Sequence, residues 1–372
     1  MRIAIVVERF PPDIGGSGTR YYKIAEHLSK KHAIDVFTLG KPSDNYEKCG
    51  FNVYRFNSDT RILPSPLNKL NRVTFFSSSV FLKLFSRSYD IIDVDVWPFI
   101  PFFAVKAAKP EVPVVVSWNS VWPFAYNKIV SRICEALAYP VSKIGNYHVA
   151  VSNFAKKILQ EKFKISKEKI RVIPNGIDKE FLEAKLEPQF GRIVYVGRLE
   201  PQKRLDLLLA AFKLFKKKVN NAELHIIGFG PLYTRLINES EKTGGIYIHK
   251  PVPQKERRQL ISYLKNAWVF VSASEFESYG LSIAEALSMG LPAILTNAPY
   301  NAATKEIVSH NYNGLIVDHG KPEAICKAFE KLYQNLELWR QLSNNARQSL
   351  RFSWSDVAKE VEEVYKILKK TD

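Results

Sequence analysis

The chain has 372 residues, a length that exceeds the usual size of one hydrophobic core, so we expect two domains. Hydrophobic residues make up 46% of it, which excludes a disordered protein. Its three cysteines form no CxxC pair, and no window offers the roughly eighteen uncharged apolar residues of a membrane-spanning helix. The formal net charge of +17 leaves nucleic acid, anionic lipid and phosphate-bearing small molecules open as partners, beside a solvated lysine-rich surface.

The first half of the chain alternates short β-branched runs with helical patterns. The first run, IAIVV (3–7), is too short for the apolar core of a signal peptide and predicts a buried strand. Continuous apolar strands separated by helices indicate a parallel sheet buried on both faces. Further strands are predicted at 34–39, 51–56, 91–96, 112–117 and 147–152, with helices at 18–30 and 123–140.

The second half repeats this scheme after a stretch, 183–190, in which hydrophobic periodicity lapses. Strands are predicted at 192–197, 222–228, 245–250, 268–274, 292–297 and 314–318, and helices at 204–218, 231–242, 254–266, 281–289 and 320–350. We therefore predict an α/β fold of two Rossmann-like, doubly wound domains that face each other across a cleft. The predicted bounds are 1–182 and 183–353, with a C-terminal helix at 354–372 that packs back on the first domain.

In such sheets ligands bind beyond the carboxyl ends of the strands, so the loops there are informative. The first strand is followed by FPPDIGGSGTR, in which Gly15, Gly16 and Gly18 open a helix. Backbone amides in such a loop can approach an anionic group closely, although a flexible turn gives the same pattern.

Two loops of the second half carry features suited to a diphosphate. GRLEPQKRL places Arg198 and Lys203 between a strand and a helix, where two cations and a helix N-terminus match such a charge. In isolation the two side chains would be solvated cations. The next strand ends in IIGFGP, where Gly228 and Gly230 make a tight loop into a helix.

The segment EFESYGLSIAEALSMGLP places Glu277 on a loop and Glu285 one turn inside the following helix. Gly280 permits a close backbone approach, and Ser282 is predicted to cap the helix. Each carboxylate can accept two hydrogen bonds from a vicinal diol, while the amides of Gly280 and Leu281 face a phosphate. A ligand with one diol on each side of a diphosphate is a nucleotide sugar.

These segments resemble, in the same order along nearly the whole chain, the motifs of the family-4 retaining glycosyltransferases of the GT-B fold. EFESYGLSIAEALSMGLP is similar to the E-x7-E signature, and VGRLEPQKRLDLLLAAF to the VGRL…K segment. VIPNGID (172–178) is similar to the interdomain strand and turn, and FPPDIGGSGTRYYKIAEHL to the N-terminal glycine loop.

The resemblance implies a retaining, metal-independent transfer of a hexose-type sugar from a nucleotide diphosphate sugar to a glycan or lipid-linked acceptor. In the catalytic group, Glu277 would hold hydroxyls of the transferred sugar, and Arg198 and Lys203 would stabilise the departing diphosphate. Glu285 would bind the ribose. The donor-binding residues would be Gly16, Gly228, Gly230, Gly280, Leu281 and Glu285. No cofactor or metal is expected, and DVD at 93–95 is discounted as a metal site because it ends a first-domain strand.

The acceptor side departs from the family. Where a histidine usually follows a first-domain strand, this chain has SWNSVW, and Asn119 can bond a sugar hydroxyl but cannot carry a proton, which leaves the donor sugar open. Arg204 and Ser278 stand where the family usually has glycine.

Aromatic residues at strand ends predict an acceptor wall, with ordinary core packing as the alternative. These residues are Trp97, Trp118 and Trp122.

The segment NRVTFFSSSVFLKLFSRSY (71–89) is apolar and basic with no acid, and residues 1–180 carry 27 Lys and Arg against 16 Asp and Glu. The pattern favours a core helix between strands, and an anionic membrane surface is the other interpretation. We expect a cytoplasmic protein that is peripheral on the inner face of the membrane and acts on a lipid-linked acceptor.

Two other functions fit parts of the pattern. One is a basic, non-catalytic α/β protein that binds RNA or an anionic surface, although the basic residues are scattered, no nucleic-acid motif is present and no nucleic-acid partner is expected. The other is a GT-B-like epimerase or phosphorylase.

Overall fold

A computed structural model describes residues 1–41, 50–57, 65–121 and 128–371. Cys49, Trp122 and the first part of the predicted helix 123–140 lie outside them. The chain divides into two compact units, one formed by Met1–Gly176 with Trp354–Asp372 and the other by Ile177–Ser353. The first unit thus ends at Gly176, whereas the sequence placed a boundary at 182, and it includes the C-terminal helix.

The described strands of the first unit form a parallel sheet in the order β3-β2-β1-β4-β5-β6-β7. Its strands are β1 (Arg2–Val6), β2 (Ala33–Leu39), β3 (Asn52–Phe56), β4 (Ile91–Asp95), β5 (Val114–Trp118), β6 (Tyr147–Ala150) and β7 (Ile170–Val172). Its helices, before the C-terminal one, are α1 (Gly16–Leu28), α2 (Ser65–Phe85), α3 (Ile100–Ala108), α4 (Lys128–Ile144) and α5 (Asn153–Phe163).

The second unit holds a parallel sheet in the order β10-β9-β8-β11-β13-β15 and a short β12-β14 pair. Its strands are β8 (Arg192–Val196), β9 (Glu223–Ile227), β10 (Ile246–His249), β11 (Val269–Ser272), β12 (Phe276–Glu277), β13 (Ala293–Thr296), β14 (Tyr300–Asn301) and β15 (Gly314–Val317). Its helices are α6 (Lys179–Glu183), α7 (Leu205–Lys216), α8 (Tyr233–Thr243), α9 (Arg257–Lys265), α10 (Leu281–Ser288), α11 (Ala303–Glu306), α12 (Pro322–Gln334) and α13 (Leu336–Ser349).

The last helix, α14 (Trp354–Thr371), packs against α1 in the first unit. Its Tyr365 hydroxyl donates to Asp93 Oδ2 at 2.6 Å. Asp93 also accepts from the hydroxyls of Tyr21 and Ser117, each at 2.8 Å. Burial raises the pKa of this carboxyl in spite of the three hydrogen bonds. Asp93 therefore ties strand β4 to both helices.

The predicted fold class is confirmed, since both units are α/β with parallel sheets. One prediction about the elements is wrong: the pattern at 320–350 covers two helices, not one. The break falls at Asn335, whose side chain accepts a hydrogen bond from the Leu338 amide at 2.9 Å and so caps α13.

Candidate functional site

The predicted donor residues of the second unit lie where several loops meet. The chain starts the second sheet at β8, which has β9 on one side and β11 on the other. The loops after these three parallel strands leave the same edge of the sheet at its topological switch point. They carry Arg198 and Lys203, Gly228 and Gly230, and Glu277.

Lys203 and Glu277 are joined directly. Lys203 Nζ lies 2.5 Å from Glu277 Oε1 and 3.3 Å from Ser274 Oγ. Both charged side chains are largely buried, with 13% and 18% of their surfaces exposed. The loop that carries Glu277 is fixed by β12, which pairs with β14, and by the Ala302 amide, which donates to the Glu277 carbonyl at 2.8 Å. Two predicted catalytic residues therefore occupy one site, where their charges neutralise each other.

The backbone around Lys203 explains a departure noted in the sequence. Arg204 adopts a left-handed conformation, with φ of 48°, which glycine takes at less cost. Its guanidinium binds Asp206 at 2.9 Å and Glu275 at 3.0 Å, and these contacts raise its pKa. The arginine thus fills a glycine position by pairing its charge with two neighbouring carboxylates.

Arg198 lies on the same loop but is more accessible. Its side chain is 41% exposed, and Nη1 donates to Glu200 Oε1 at 2.8 Å. The buried Tyr195 hydroxyl donates to the Arg198 carbonyl at 3.0 Å and so holds the loop. An exposed guanidinium on a fixed backbone is able to meet an anionic ligand.

Gly228 and Gly230 are required for packing between loops. A Cβ at Gly228 would lie 1.9 Å from the Gly197 carbonyl oxygen, and one at Gly230 would lie 2.4 Å from the Leu199 carbonyl oxygen. Only a residue without a side chain allows the loops after β8 and β9 this close approach. Direct contact of these glycines with a donor stays a prediction.

The N-terminus of α10 is built around Gly280, whose φ is 96°, with Leu281 as the first helical residue. The sequence predicted that Ser282 caps the helix, and this prediction is wrong. The Ser282 hydroxyl donates instead to the Val196 carbonyl at 2.9 Å, which ties α10 to the end of β8. The first amides of α10 therefore lie beside the loop that carries Arg198 and Lys203.

Glu285 lies one turn inside α10 with only 4% of its side chain exposed, and it forms an ion pair with Arg257 at the start of α9. Arg257 Nε lies 3.6 Å from Asp178 Oδ2, and its guanidinium sits 4.8 Å from the centre of the Phe181 ring. Sequence reasoning missed Arg257 because nothing in the pattern of helix 254–266 links it to a residue 28 positions away.

In the first unit, the glycine loop meets the ends of two strands. Asn119 Nδ2 donates to Asp95 Oδ1 at 3.3 Å, and Asp95 also accepts a hydrogen bond from Ser17, beside Gly16 at the start of α1. Burial, reinforced by the charges of Asp93 and Glu8, raises the pKa of Asp95 to about 7. Sequence reasoning discounted this carboxyl as a metal ligand and assigned it no other role.

The predicted aromatic wall needs a correction at Trp118. Its side chain is 0% exposed, stacks on Phe163 with ring centres 5.9 Å apart, and donates through Nε1 to His148 Nδ1 at 3.1 Å. Burial lowers the pKa of His148 to about 4, so this ring is neutral at pH 7. Trp118 is a core residue and does not reach an acceptor. Trp97 is partly buried against Phe99, and Trp122 lies outside the described residues.

Arg20 is a second residue that sequence reasoning missed. It is 1% exposed, and its Nη1 donates to the Pro174 carbonyl at 2.9 Å and to Asn175 Oδ1 at 3.0 Å. It thereby fixes the VIPNGID segment to α1. Across the described ranges, no helix is long and apolar enough to cross a membrane, and no group of three or more His, Cys, Asp or Glu is placed to hold a metal ion.

Solved structures of other proteins share this fold. The chain is similar to sucrose-phosphate synthase of Thermosynechococcus elongatus, with a TM-score of 0.81, 16% identity and full coverage of both chains. It is also similar to Anabaena HepE in complex with UDP-glucose, with a TM-score of 0.76 and 15% identity over 99% of this chain and 100% of that one. These likenesses show the fold, which is GT-B.

Sequence comparison gives the family. Residues 14–181 match the model of Glycosyltransferase Family 4, and residues 178–349 match that of the Glycosyl transferases group 1. An uncharacterized glycosyltransferase of Methanocaldococcus jannaschii is 27% identical over 99% of this chain and 98% of its own. The chain belongs to the family-4 glycosyltransferases, as its motifs predicted.

Proposed function

We propose that this glycosyltransferase moves a hexose-type sugar from a nucleotide diphosphate sugar to a glycan or lipid-linked acceptor, with retention and without a metal ion. The observation that carries the proposal is the Lys203–Glu277 pair, which lies on the loops beside the N-terminus of α10. A relative of the same fold holds UDP-glucose, which supports a nucleotide-sugar donor.

Each group has a chemical task in this proposal. Breaking the bond between the sugar and the diphosphate leaves negative charge on phosphate oxygens and positive charge on the sugar ring. Arg198, Lys203 and the first amides of α10 stabilise the departing diphosphate. As Lys203 turns to the diphosphate, Glu277 is released to accept hydrogen bonds from the sugar hydroxyls. The acceptor hydroxyl oxygen then bonds to the anomeric carbon on the face that the diphosphate leaves, and its proton passes to a departing phosphate oxygen.

The ribose contact is assigned to Glu285, and its ion pair sets a condition on binding. Arg257 already satisfies part of this carboxylate. A carboxylate has about four lone-pair sites, so Glu285 can keep the guanidinium and still accept from a diol. We therefore expect Arg257 to stay in place when the donor binds.

The proposed location is the cytoplasm, on the inner face of the membrane, where a lipid-linked acceptor is found. The support is the excess of basic residues in the first half of the chain and the apolar, basic helix α2. A glycan acceptor without lipid is the other form of the same proposal.

The test is calorimetric titration with UDP-, GDP- and ADP-sugars and with the free nucleoside diphosphates. We expect one nucleotide series to bind, and Arg198→Ala to weaken it by about tenfold to a hundredfold, because a hydrogen bond to a charged group contributes about 1.5–3 kcal/mol. Glu285→Gln should weaken it as well. Arg258→Ala, an exposed neighbour on α9, is the matched control and should bind like the unmodified chain.

Three outcomes would contradict the proposal. An absence of binding across the panel, together with salt-dependent binding of RNA, would favour the basic, non-catalytic protein. Consumption of the donor without an acceptor would indicate an epimerase. A requirement for inorganic phosphate would indicate a phosphorylase.

A further inference from the structure

The outward faces of α2 and α4 concentrate exposed apolar side chains. Seventeen large hydrophobic side chains are exposed in the described part of the chain, and nine of them lie on these two helices. The remaining eight are spread over the rest of both units. Scattered exposed apolar residues are ordinary, but a concentration of this kind marks an interaction surface. The nine are Leu70, Phe75, Leu82, Phe85, Ile129, Ile133, Leu137, Tyr139 and Ile144.

Helix α4 is apolar on two sides. Its inward side packs Cys134, Ala138 and Val141 into the core of the first unit. Its outward side presents residues spaced by four, which form a stripe along a helix. This α4 stripe is Ile129, Ile133 and Leu137, which are 73%, 57% and 38% exposed. Packing within the first unit explains the inward side but not the stripe.

Helix α2 presents a similar stripe in the same layer. Phe75, Leu82 and Phe85 face outward and are 39%, 69% and 68% exposed. The inward sides of α2, α3, α4 and α5 all join one core cluster, so the four helices cover one face of the first sheet. Between α2 and α4 in the chain, α3 adds a partly buried Phe103. Both stripes therefore belong to one helix layer.

The same layer is strongly basic. Helices α2 to α5 contain ten Lys and Arg against two Glu, whereas α1 and α14 of the same unit contain six against five. One of the two acids, Glu135, is already paired with Lys162 at 2.5 Å. The positive charge of the first unit is thus gathered on the layer that carries the apolar stripes.

This combination selects one kind of partner. A second copy of the chain would bring one basic layer against another, at a cost in like-charge repulsion. Nucleic acid would use the cations but gives the aliphatic stripes no favourable contact. An anionic lipid surface attracts the basic side chains and accepts the apolar ones at the boundary of the acyl chains. Tyr139 adds an aromatic ring of the kind enriched at such boundaries, and the centre of this ring lies 5.3 Å from Lys143 Nζ.

We propose that the layer of α2, α3, α4 and α5 docks on an anionic lipid bilayer, with the stripes of α2 and α4 inserted among the headgroups. The inference deepens the proposed function by naming the surface that would bring the enzyme to a lipid-linked acceptor. It concerns binding to the bilayer alone, so it is tested without a donor, and failure of the transferase proposal would be seen separately in the titrations above.

The experiment is co-sedimentation of the full chain with vesicles of phosphatidylcholine and of phosphatidylcholine mixed with phosphatidylglycerol. We expect binding to the mixed vesicles only, weakened by salt. The double variant Ile133→Glu, Leu137→Glu should bind at least about tenfold more weakly, because it replaces two inserted apolar side chains by charges. Both positions are exposed, so the variant should keep the circular dichroism spectrum and melting temperature of the unmodified chain.

The matched control is the double variant Leu336→Glu, Ile367→Glu, which makes the same change of charge at exposed apolar positions outside this layer. It should bind within about twofold of the unmodified chain, as expected for sites that touch no lipid. Equal binding by the two double variants, or no binding of the unmodified chain to anionic vesicles, would overturn the proposal. So would a dimer in light scattering that only the Ile133→Glu, Leu137→Glu variant dissociates, since a second copy would then cover the stripe.

Discussion

Arg257 and Glu285 form an ion pair with little access to water, so each charge depends on the other. Arg257→Ala leaves the carboxylate buried without its guanidinium, which costs about 3–5 kcal/mol for a pair of this kind. We expect urea denaturation to show that loss in the free energy of unfolding. Arg258→Ala, its exposed neighbour, should change stability by less than about 0.5 kcal/mol. Equal urea midpoints for the two variants would mean that Glu285 does not rely on Arg257.

Asp95 gives the first unit a predicted pH dependence. Its pKa is raised by burial to about 7 in the folded chain, above the value of about 3.9 for an unfolded aspartate. Between these values the folded chain binds more protons, so its free energy of unfolding falls as pH rises from about 4 to about 7. Asparagine does not titrate, so Asp95→Asn should remove that part of the fall, which is of the order of 4 kcal/mol for a pKa difference of about 3 units.

The measurement compares urea unfolding of the two proteins at several pH values. The difference between them should grow across this interval and stay constant above it, with Asp95→Asn relatively more stable at the alkaline end. The exposed Asp13→Asn serves as the control, with no expected change in slope. A constant difference between the unmodified chain and Asp95→Asn over the whole range would show that Asp95 does not take up a proton on folding.

Single residues also show which parts of the site could be predicted from the sequence. Lys203 and Glu277 were predicted in one site because each follows a strand of the same parallel sheet, and the structure brings them together. The pairing of Arg257 with Glu285 and the buried position of Asp95 depend on contacts between distant segments. No local pattern in the sequence specifies those contacts. Trp118 shows the opposite error. A tryptophan after a strand predicted a contact with the acceptor. The observed strand β5 extends through Trp118, and the ring of this residue is buried in the core.

At the scale of elements, periodicity located every strand of the second sheet and all strands of the first except β7, and it missed some helices. Helix α3, with the sequence IPFFAVKAA, is apolar on nearly every side and lacks the alternation of an amphipathic helix. Helix α5 begins after Ser152, whose side chain accepts from the Ala155 amide at 3.1 Å. That cap was a readable signal, but it lay at the end of a predicted strand.

The glycine loop before α1 allows a prediction with its own control. A Cβ at Gly16 meets no atom within 4 Å, whereas one at Gly18 would lie 2.8 Å from the Arg9 carbonyl oxygen. Gly16→Ala should therefore keep the stability of the first unit, and Gly18→Ala should lower it by about 1–3 kcal/mol through overpacking. If a ligand approaches the backbone at Gly16, Gly16→Ala should weaken its binding by at least about tenfold with the fold intact.

Urea denaturation and calorimetry on the two variants check both parts. Unchanged ligand binding by Gly16→Ala would remove Gly16 from the predicted contacts. Equal stability of the two variants would contradict the packing argument at Gly18.

At the scale of the whole molecule, the first unit is assembled from both ends of the chain. Residues 1–176 supply its sheet, and α14 returns to cover it beside α1. The predicted domain bounds included this return, although a helix after the last strand has no preferred partner by its own pattern. The pattern also could not place the first boundary at Gly176, since VIPNGID continues without a break in composition into α6.

Removal of residues 354–372 should therefore weaken the first unit and spare the second. Val357, Val361 and Val364 are 0–1% exposed, and burying a side chain of this kind contributes about 1.5–3 kcal/mol. The deletion also takes away the Tyr365 hydroxyl from Asp93. Hydrogen exchange should show lost protection in β1 and β4, with β8 and β11 still protected by their own core. A chain that ends at Lys370 keeps the ion pair of Lys369 with Asp90 beside β4, and as the control it should exchange like the full one. Equal loss in both units would mean that their stabilities are not separable, and no loss in β4 would mean that α14 does not hold the first sheet.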